Sequence, residues 1–543
     1  FCPRVTVCAG TPPRISTFFH MQWSFVLLTL ASAWEVQLEC GISLVQLTVN
    51  LTQVVQDKEI GLLSAASSAA EVPGEQEHGE GLPVGPVPGE PKVQGAPTAH
   101  GAYIGHGESS NVKNAVALML LGAVAFQMST FYLVNNPDAD IVFYSYNIFG
   151  SAISIFCGVL LYEGVQGCLE EYVMGHFVQG GTGRRMVRAC QLIFWLLIAD
   201  ISMGWTSGAL GKQTSSGKPG DDESWPQRKL KAECWGGVFT HAACFAGMSL
   251  WGVMQQLNWF GTAPIHALAV LPLAVLGTGI IYRVFDLVRD RLVSNTSMPE
   301  AREWWDEHCK EAENDVMSFG TSYVTVQAIL FLIMGDIHST STETMAHGLE
   351  HHDVRSAAIY MSLISLIVVI CAIPIISLSL RVLKEHDRHG ALARFSIISV
   401  NYTLMTFAWC IFAATELLVM AANPEIDIHG IVMRVVIAVA VTAGSFAFIF
   451  ALDKVADNST GTTHKVIVKI ILAKAILIGF SWEHCFQVAL ETMGANFNEY
   501  AALVTLLLSI MLCIVVFPAY LWYIMPKVSE LREAREAEFG AED

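Results

Sequence analysis

Charge is scarce in this chain, and its scarcity excludes most classes of soluble protein. Only 15% of the 543 residues are Asp, Glu, Lys or Arg, while 53% are hydrophobic and the mean hydropathy is +0.47. A soluble globular chain carries about 25% charged residues. The formal net charge is −18, whereas a protein that binds nucleic acid needs a basic surface. The composition therefore predicts a polytopic membrane protein without a nucleic-acid partner.

Several catalytic and binding motifs are also missing. The sequence holds no G-x-x-x-x-G-K-[ST] loop for ATP, no H-E-x-x-H or G-x-S-x-G motif and no TVGYG-type filter. None of its 13 cysteines forms a C-x-x-C pair. The segments between the apolar runs are too short to hold a catalytic domain. We therefore expect no enzyme, no cofactor and no ATPase within the chain.

Long apolar runs take the place of those motifs. A membrane-spanning helix needs about 20 mainly apolar residues, and eleven runs approach this length. The sequence thus predicts an all-α polytopic membrane protein. We number the predicted spans 1 to 11 in chain order. They are 113–134, 141–162, 186–208, 235–257, 264–285, 316–337, 355–381, 395–420, 431–452, 466–490 and 500–524.

The residues before the first span resemble targeting and linker segments. No methionine precedes Met21, so we expect residues 1–20 to be a non-native leader. Residues 21–33 are a short apolar core that ends in a small-x-small pattern, which is typical of a signal peptide. If this segment is retained, it becomes a twelfth membrane helix. Residues 34–112 are acidic and rich in Pro and Gly, and we expect a disordered extracytosolic linker.

Lysine and arginine predict the orientation. They concentrate in the loops that follow the odd-numbered spans, and this side is expected to be cytosolic. The acidic tail 525–543 would then lie in the cytosol. The loop 286–315 would also be cytosolic, with an interfacial helix that contains Trp304 and Trp305. The pattern leaves open whether the membrane is the plasma membrane or an endomembrane.

The two halves of the chain resemble each other at polar and small positions. We therefore predict two parallel five-helix repeats, 113–285 and 355–524, joined by the linker span 316–337. Transporters built from such repeats place their substrate between the two bundles, near the middle of the membrane. The matched positions are Asn147 with Asn401, Gly247 with Gly479, and Gln255 with Gln487.

Polar residues inside the predicted spans are the candidates for a transport pathway. An ionisable group at membrane depth is costly and therefore usually functional or paired. Lys474 has two interpretations: it reaches the interface with its long side chain, or it pairs with Asp200 or Glu483. The amides have packing between helices as their alternative role. The candidate pathway residues are Asp200, His241, Lys474, Glu483, His484, Asn147, Asn401, Gln255 and Gln487.

The outer loop 338–354 is rich in histidine. His347 and His351 would lie one turn apart if this segment is helical, a spacing that suits a zinc-class ion. Histidine also titrates near neutral pH, so a pH-sensing loop is an alternative. A solvated loop without either role is the third. The candidate residues are His338, His347, Glu350, His351 and His352.

These observations predict a multi-pass membrane transport protein, either an ion- or proton-coupled carrier or a proton or cation channel. Its expected partners are the lipid bilayer and an unidentified ion or small solute, and homo-oligomerisation is left open. The alternative is a non-transporting membrane sensor or assembly subunit that uses the outer loop and the linker to bind partners. Transport requires Asp200, Glu483 and Lys474 to converge on one cavity, whereas the alternative predicts that they are dispersed.

Overall fold

The structure is a computed structural model that describes residues 108–174, 181–210, 224–257, 259–293, 299–335, 354–385, 390–422 and 431–540. The predicted leader, signal peptide and most of the linker lie outside these residues, as does nearly all of the outer loop. The described residues are almost entirely helical and contain no strand. This confirms the all-α class.

Fourteen α-helices are labelled here in chain order. They are α1 (Glu108–Val134), α2 (Ala139–Cys168), α3 (Gly181–Ser207), α4 (Trp225–Gln255), α5 (Pro264–Leu268), α6 (Val270–Val293), α7 (Pro299–Met334), α8 (Val354–Glu385), α9 (Ala391–Ala422), α10 (Ile431–Asp457), α11 (Thr462–Leu472), α12 (Lys474–Gly494), α13 (Ala501–Ala519) and α14 (Met525–Gly540). A π-helical turn extends α2 to Met174, and another joins α13 to α14.

Nine helical segments of the described chain are long and apolar enough to cross a membrane. They coincide with every predicted span except the first and the tenth, and they indicate an integral membrane protein. The first predicted span falls on α1, of which 122–134 forms a shorter apolar helix. The tenth falls on α11 and α12, where Glu483, His484 and Glu491 lower the hydropathy. The total of eleven spans and the repeat stay predictions.

The sixth predicted span and the predicted interfacial helix form one continuous element. Helix α7 runs for 36 residues from Pro299 to Met334. Trp305 is 1% exposed and donates a 2.8 Å hydrogen bond from Nε1 to the carbonyl oxygen of Asp200. The tryptophans therefore pack inside the protein rather than at a membrane surface. Glu313 lies just before the predicted span and forms ion pairs with Arg289 and Arg394 in the interior, so the helix needs no break there.

Five helices, α2, α4, α7, α9 and α12, pack side by side in that order and close into a ring. Between α2 and α4, Ser154 contacts His241, and further along both helices Tyr162 contacts Phe245. The contacts thus advance in the same direction along both helices, which makes the two helices parallel.

The other neighbours in the ring are also parallel. Arg394 near the start of α9 contacts Glu313 of α7, and Trp409 further along contacts Tyr323. Because all five helices point the same way, the helices between them must return the chain to the starting side. This is the alternation expected of successive membrane crossings. We call the two ends of the ring its N-terminal end and its C-terminal end.

Glycine lets α2 approach both of its neighbours in the ring. A Cβ atom at Gly158 would lie 2.5 Å from the carbonyl oxygen of Val238 in α4. A Cβ atom at Gly479 of α12 would lie 3.0 Å from the Cα atom of Ala152 in α2. Small residues at such contacts are typical of membrane helices, whose association relies on close backbone packing.

The remaining helices surround the ring. In the most apolar window of α9, 83% of residues are buried, compared with 11% for the segment that contains α13.

Candidate functional site

Two arginine–glutamate pairs lie at the C-terminal end of the ring. Arg434 of α10 donates to Glu416 of α9 at 2.6 Å, and the two side chains are 3% and 2% exposed. Arg188 of α3 donates to Glu170, in the turn that extends α2, but Glu170 is 52% exposed. In both pairs the arginine follows the glutamate by 18 residues and joins a ring helix to the next helix in the chain.

Glu483 and His484 of α12 are buried near these pairs. Glu483 is 0% exposed, and neither of its carboxyl oxygens has a hydrogen-bond partner. His484 lies with Nδ1 3.2 Å from Oε1 of Gln487, and its Nε2 has no partner. A buried polar group without a hydrogen bond costs roughly 1–3 kcal/mol, and more when it is charged. Such a cost, carried inside a membrane helix, marks Glu483 as a functional candidate.

Other acids gather around Glu483. The carboxyl groups of Glu163 in α2 and Glu491 in α12 lie within electrostatic range of it. Tyr323 of α7 is within the same kind of range of both Glu163 and Glu416. Acids from three ring helices and a phenol from a fourth therefore interact electrostatically toward the C-terminal end. Grouped acids and histidines are a common means of passing protons through membrane proteins.

An aromatic layer closes the ring below these acids. It consists of Phe245, Phe319, Trp409 and Phe480, one residue each from α4, α7, α9 and α12. The ring centroids of Phe480 and Trp409 lie 4.8 Å apart, and those of Phe480 and Phe245 lie 5.6 Å apart. Phe480 also stacks on His484 at 5.7 Å. These four side chains fill the space between the helices with aromatic rings.

On the N-terminal side of the aromatic layer the ring is polar again. Asn401 of α9 donates from Nδ2 to Asp315 of α7 at 2.8 Å. Arg394 of α9 donates to Glu313 at 2.5 Å. Both contacts join α7 to α9. The aromatic layer therefore lies between two polar regions of the ring.

Arg289 of α6 organises a charged network beside this region. It is 4% exposed on its side chain and lies 3.0 Å from Asp200, 2.7 Å from Glu313 and 2.5 Å from Asp286. Asp200 is thus locally paired, through α3, α6 and α7, and does not face Lys474 or Glu483. A surface pocket opens next to the network. Its lining is Arg289, Asp290, Pro299, Arg302, Glu303, Trp305 and Asp306.

Lys474, the first residue of α12, is fully buried. Its Nζ has no hydrogen-bond partner and lies 3.9 Å from the ring centroid of Phe448 and 4.7 Å from that of Phe407. The first interpretation required the side chain of Lys474 to reach the surface, and it does not. The second interpretation was an ion pair with Asp200 or Glu483, but the groups that contact Nζ are two aromatic rings.

The remaining predicted pathway residues have local roles. His241 lies with Nδ1 2.8 Å from the carbonyl oxygen of Gly237 and 3.0 Å from Ser154 Oγ. Gln255 donates to two backbone carbonyls, which ties α4 to α5 and α7. Asn147 bonds to the backbone of its own helix and to Arg532 of α14. Gln487 bridges His484 and Glu491. Of the set, Glu483 and His484 lie together with Gln487, and Asn401 lies on the other side of the aromatic layer.

Sequence reasoning missed the arginines. Arg289 was counted among loop residues because the fifth span was ended at residue 285, whereas α6 continues to Val293. Arg394 directly precedes the predicted span 395–420 and Arg434 is the fourth residue of the span 431–452, and neither is among the predicted site residues. The signal that could have found Arg434 is an acid 18 residues before it, at the end of the preceding span.

The histidine candidates of the outer loop, His338 to His352, lie outside the described residues. Among the described residues the acids, the aromatic layer and the charged network therefore form the candidate site. Comparisons with protein-family models, curated proteins and solved structures give no match for this chain.

Proposed function

We propose that this protein moves protons or small cations across a membrane, as an ion- or proton-coupled carrier or as a channel, through the interior of the five-helix ring. The observation that carries the proposal is Glu483, a fully buried acid with two unpartnered oxygens among other acids of the ring. A scaffold has no need of such a group, since an apolar residue in its place would cost less.

The polar groups on both sides of the aromatic layer support this function. Glu163, Glu483 and His484 provide a chain of titratable groups from the C-terminal end inward. Asp315 with Asn401 provides acceptors and donors on the opposite side. A transported ion would pass from one set to the other when the aromatic layer moves apart. The described structure corresponds to a closed state.

The two arginine–glutamate pairs are similar in the two halves of the predicted repeat, but their glutamates are not equivalent positions, because Glu170 lies 23 residues after Asn147 and Glu416 lies 15 residues after Asn401. Each connects the end of a ring helix to the start of the next helix, with the same sequence separation of 18 residues. The first belongs to the repeat 113–285 and the second to the repeat 355–524. Two homologous bundles around one axis are a common plan among secondary transporters. On this proposal the N-terminal end of the ring faces the cytosol, and both α1 and α12 cross the membrane.

A non-transporting sensor or assembly subunit is the second candidate function. The local pairing of Asp200 with Arg289 favours it, because that carboxylate does not converge with Glu483 on one cavity. Lys474 likewise contacts aromatic rings rather than an acid. In this alternative the buried charges hold helices together, and partners bind elsewhere on the protein.

Proton flux into liposomes distinguishes these functions. The purified protein is reconstituted with a trapped pH dye, a pH gradient is imposed and the membrane potential is clamped with potassium and valinomycin. We expect flux above that of empty liposomes and a loss of at least about tenfold with Glu483→Gln, because positioned acids speed proton transfer by about 10²–10⁴-fold.

Glu530→Gln is the matched control, since it makes the same change on an exposed residue of α14. Asp200→Asn tests the charged network separately. A flux that Glu483→Gln leaves intact would place the pathway elsewhere. Absence of flux above empty liposomes would remove the proton channel, and a screen of cations and small solutes would then decide between a carrier and the second candidate function.

A further inference from the structure

Three aspartates meet at the N-terminal end of the ring, apart from the candidate pathway. Asp138 precedes α2 and caps it, while Asp453 and Asp457 lie in the last turns of α10. Each offers one carboxylate oxygen, and the three oxygens lie within 4.8 Å of one another. We call these residues the aspartate cluster. It brings together the α1–α2 turn and the end of α10, which are more than 300 residues apart in the chain.

Asp453 distinguishes the aspartate cluster from an ordinary acidic surface. Its side chain belongs to the interior, at 3% exposure, and Oδ1 has no hydrogen-bond partner. Oδ1 of Asp138 accepts a 2.9 Å hydrogen bond from the backbone N–H of Asp140. A buried carboxylate that has an unpartnered oxygen and lies beside two other carboxylates is unfavourable in the absence of a counter-charge.

The position on α10 adds two further electrostatic costs. Asp453 and Asp457 are four residues apart on one helix, a spacing at which like charges repel. Both lie at the C-terminal end of the helix, where the helix dipole is negative and acids are disfavoured. A bound cation would relieve the burial cost, the repulsion and the dipole cost together.

Two basic side chains face the aspartate cluster and offset part of its charge. Arg535 of α14 acts electrostatically on Asp453 but forms its ion pair with Asp140, at 3.1 Å. His464 of α11 acts on Asp457. With Asp140 included, four carboxylates therefore face two basic side chains, which leaves an excess of negative charge at the aspartate cluster.

The donor atoms and their separations indicate the class of cation. Calcium binds oxygen at about 2.3–2.6 Å, so two oxygens on one ion lie at most about 5 Å apart. Magnesium binds at about 2.0–2.1 Å, which limits that separation to about 4.2 Å. The three oxygens lie within 4.8 Å of one another, a range that a calcium ion spans. Zinc would favour nitrogen and sulfur ligands. The geometry points to a calcium-class divalent cation bound by Asp138, Asp453 and Asp457.

A cation bound by the aspartate cluster would link the turn between α1 and α2 to the end of α10. Asp140, two residues after Asp138, holds Arg535 of α14, so the same ion would also steady the C-terminal helix. The site is independent of the proposed transport function, since it lies outside the group of acids around Glu483.

Calcium binding to the full-length protein tests the site directly. The protein is purified in detergent, treated with a chelator and titrated with Ca²⁺ and with Mg²⁺ by calorimetry, and its thermal midpoint is measured with and without Ca²⁺. We expect saturable Ca²⁺ binding, weaker Mg²⁺ binding and a rise of the midpoint with Ca²⁺. Asp457→Asn should raise the Kd for Ca²⁺ by about tenfold or more, because affinity follows the number of charged ligands.

Two further variants keep the test decisive. Asp138→Asn removes a charge but retains a residue that caps helices well, so the fold is preserved while binding weakens. Asp290→Asn changes an exposed acid near the end of α6 and should leave Ca²⁺ binding unchanged. Without Ca²⁺, Asp457→Asn should raise the thermal midpoint, because repulsion is relieved.

Absence of Ca²⁺ binding up to about 5 mM, well above the range of weak protein sites, would overturn the proposal. Equal binding by Asp457→Asn or equal affinity for Mg²⁺ would do the same.

Discussion

The ammonium nitrogen of Lys474 lies 3.9 Å from the centre of the Phe448 ring. With Phe407 at 4.7 Å, the cation is held between aromatic faces of α9 and α10. A desolvated cation–aromatic contact contributes about 2 kcal/mol, whereas a lysine at membrane depth costs about 2.5–3.5 kcal/mol even on the lower scales. The ammonium also has no hydrogen-bond partner, which adds a cost of about 1–3 kcal/mol or more, so the two aromatic contacts do not fully offset the burial of Lys474.

Lys474→Met should stabilise the protein. Methionine keeps the length of the side chain and packs well against aromatic rings. We expect the free energy of unfolding to rise by roughly 1–3 kcal/mol, as observed when buried charges are replaced by apolar residues. Thermal unfolding of the detergent-purified protein measures the change.

Lys469→Met is the control for Lys474→Met. Lys469 is half-buried on α11, so its replacement should leave the midpoint nearly unchanged. A lower midpoint for Lys474→Met would mean that the ammonium has a stabilising partner other than the two rings. If Lys474→Met is more stable but loses proton flux, the lysine acts in transport.

The Glu416–Arg434 pair should cost more to break than the Glu170–Arg188 pair. Glu416→Gln leaves Arg434 buried and without its partner, which costs about 3–5 kcal/mol. Arg188 is also buried, at 7% exposure, but Glu170 is 52% exposed, so water screens this pair and its loss should cost less. Thermal midpoints of Glu416→Gln and Glu170→Gln compare the two directly.

A double variant completes this comparison. Glu416→Gln combined with Arg434→Met removes both charges and should recover most of the lost stability. If the double variant is as unstable as the sum of the single variants, the two side chains do not interact. Equal losses for Glu416→Gln and Glu170→Gln would contradict the difference in burial.

Gly158→Ala should separate α2 from α4. The added Cβ atom would meet the Val238 carbonyl oxygen at 2.5 Å and the Cβ atom of His241 at 2.8 Å, and a backbone cannot yield as a flexible side chain can. Overpacking of this kind costs about 1–3 kcal/mol. Gly279→Ala in α6 is the matched control, because no atom lies within 4 Å of its added Cβ. It should gain about 0.5–1 kcal/mol of helix stability. Equal midpoints for the two variants would contradict the close approach of α2 and α4.

Much of the fold could be predicted from the sequence because membrane helices are specified locally. Continuous apolar runs identified nine helices that the structure also has, and their spacing predicted alternating directions. The limits appear where charge enters a helix. The predicted span 316–337 begins after the charged residue Glu313, yet Arg289 and Arg394 form ion pairs with Glu313 and α7 continues through it. Those partners lie on α6 and α9, and their proximity depends on tertiary packing.

The candidate site was only partly accessible from sequence for the same reason. Glu483 and His484 stand out as polar residues in an apolar segment, and both are buried in the ring. Asp200 satisfies the same criterion but is paired with Arg289. A single sequence does not distinguish a paired acid from an unpartnered one. The aromatic layer was missed because phenylalanine and tryptophan are ordinary in membrane helices, and only packing brings four of them together.

Opening the aromatic layer should increase proton flux. Phe480 contacts Phe245 and Trp409 across the ring and stacks on His484, so it is the central member of the layer. Phe480→Leu removes ring area but keeps an apolar residue, which limits the loss of stability. Water would then reach from the acids around Glu483 toward Asp315, because a hydrophobic constriction excludes water only while it is filled.

In the liposome assay we expect faster flux for Phe480→Leu than for the unmodified protein, and suppression of that flux when Glu483→Gln is added. Phe517 packs its aromatic side chain against Trp235, outside the aromatic layer, so Phe517→Leu should leave the flux unchanged. Unchanged flux in Phe480→Leu, with the protein folded and inserted, would show that the aromatic layer does not close the pathway.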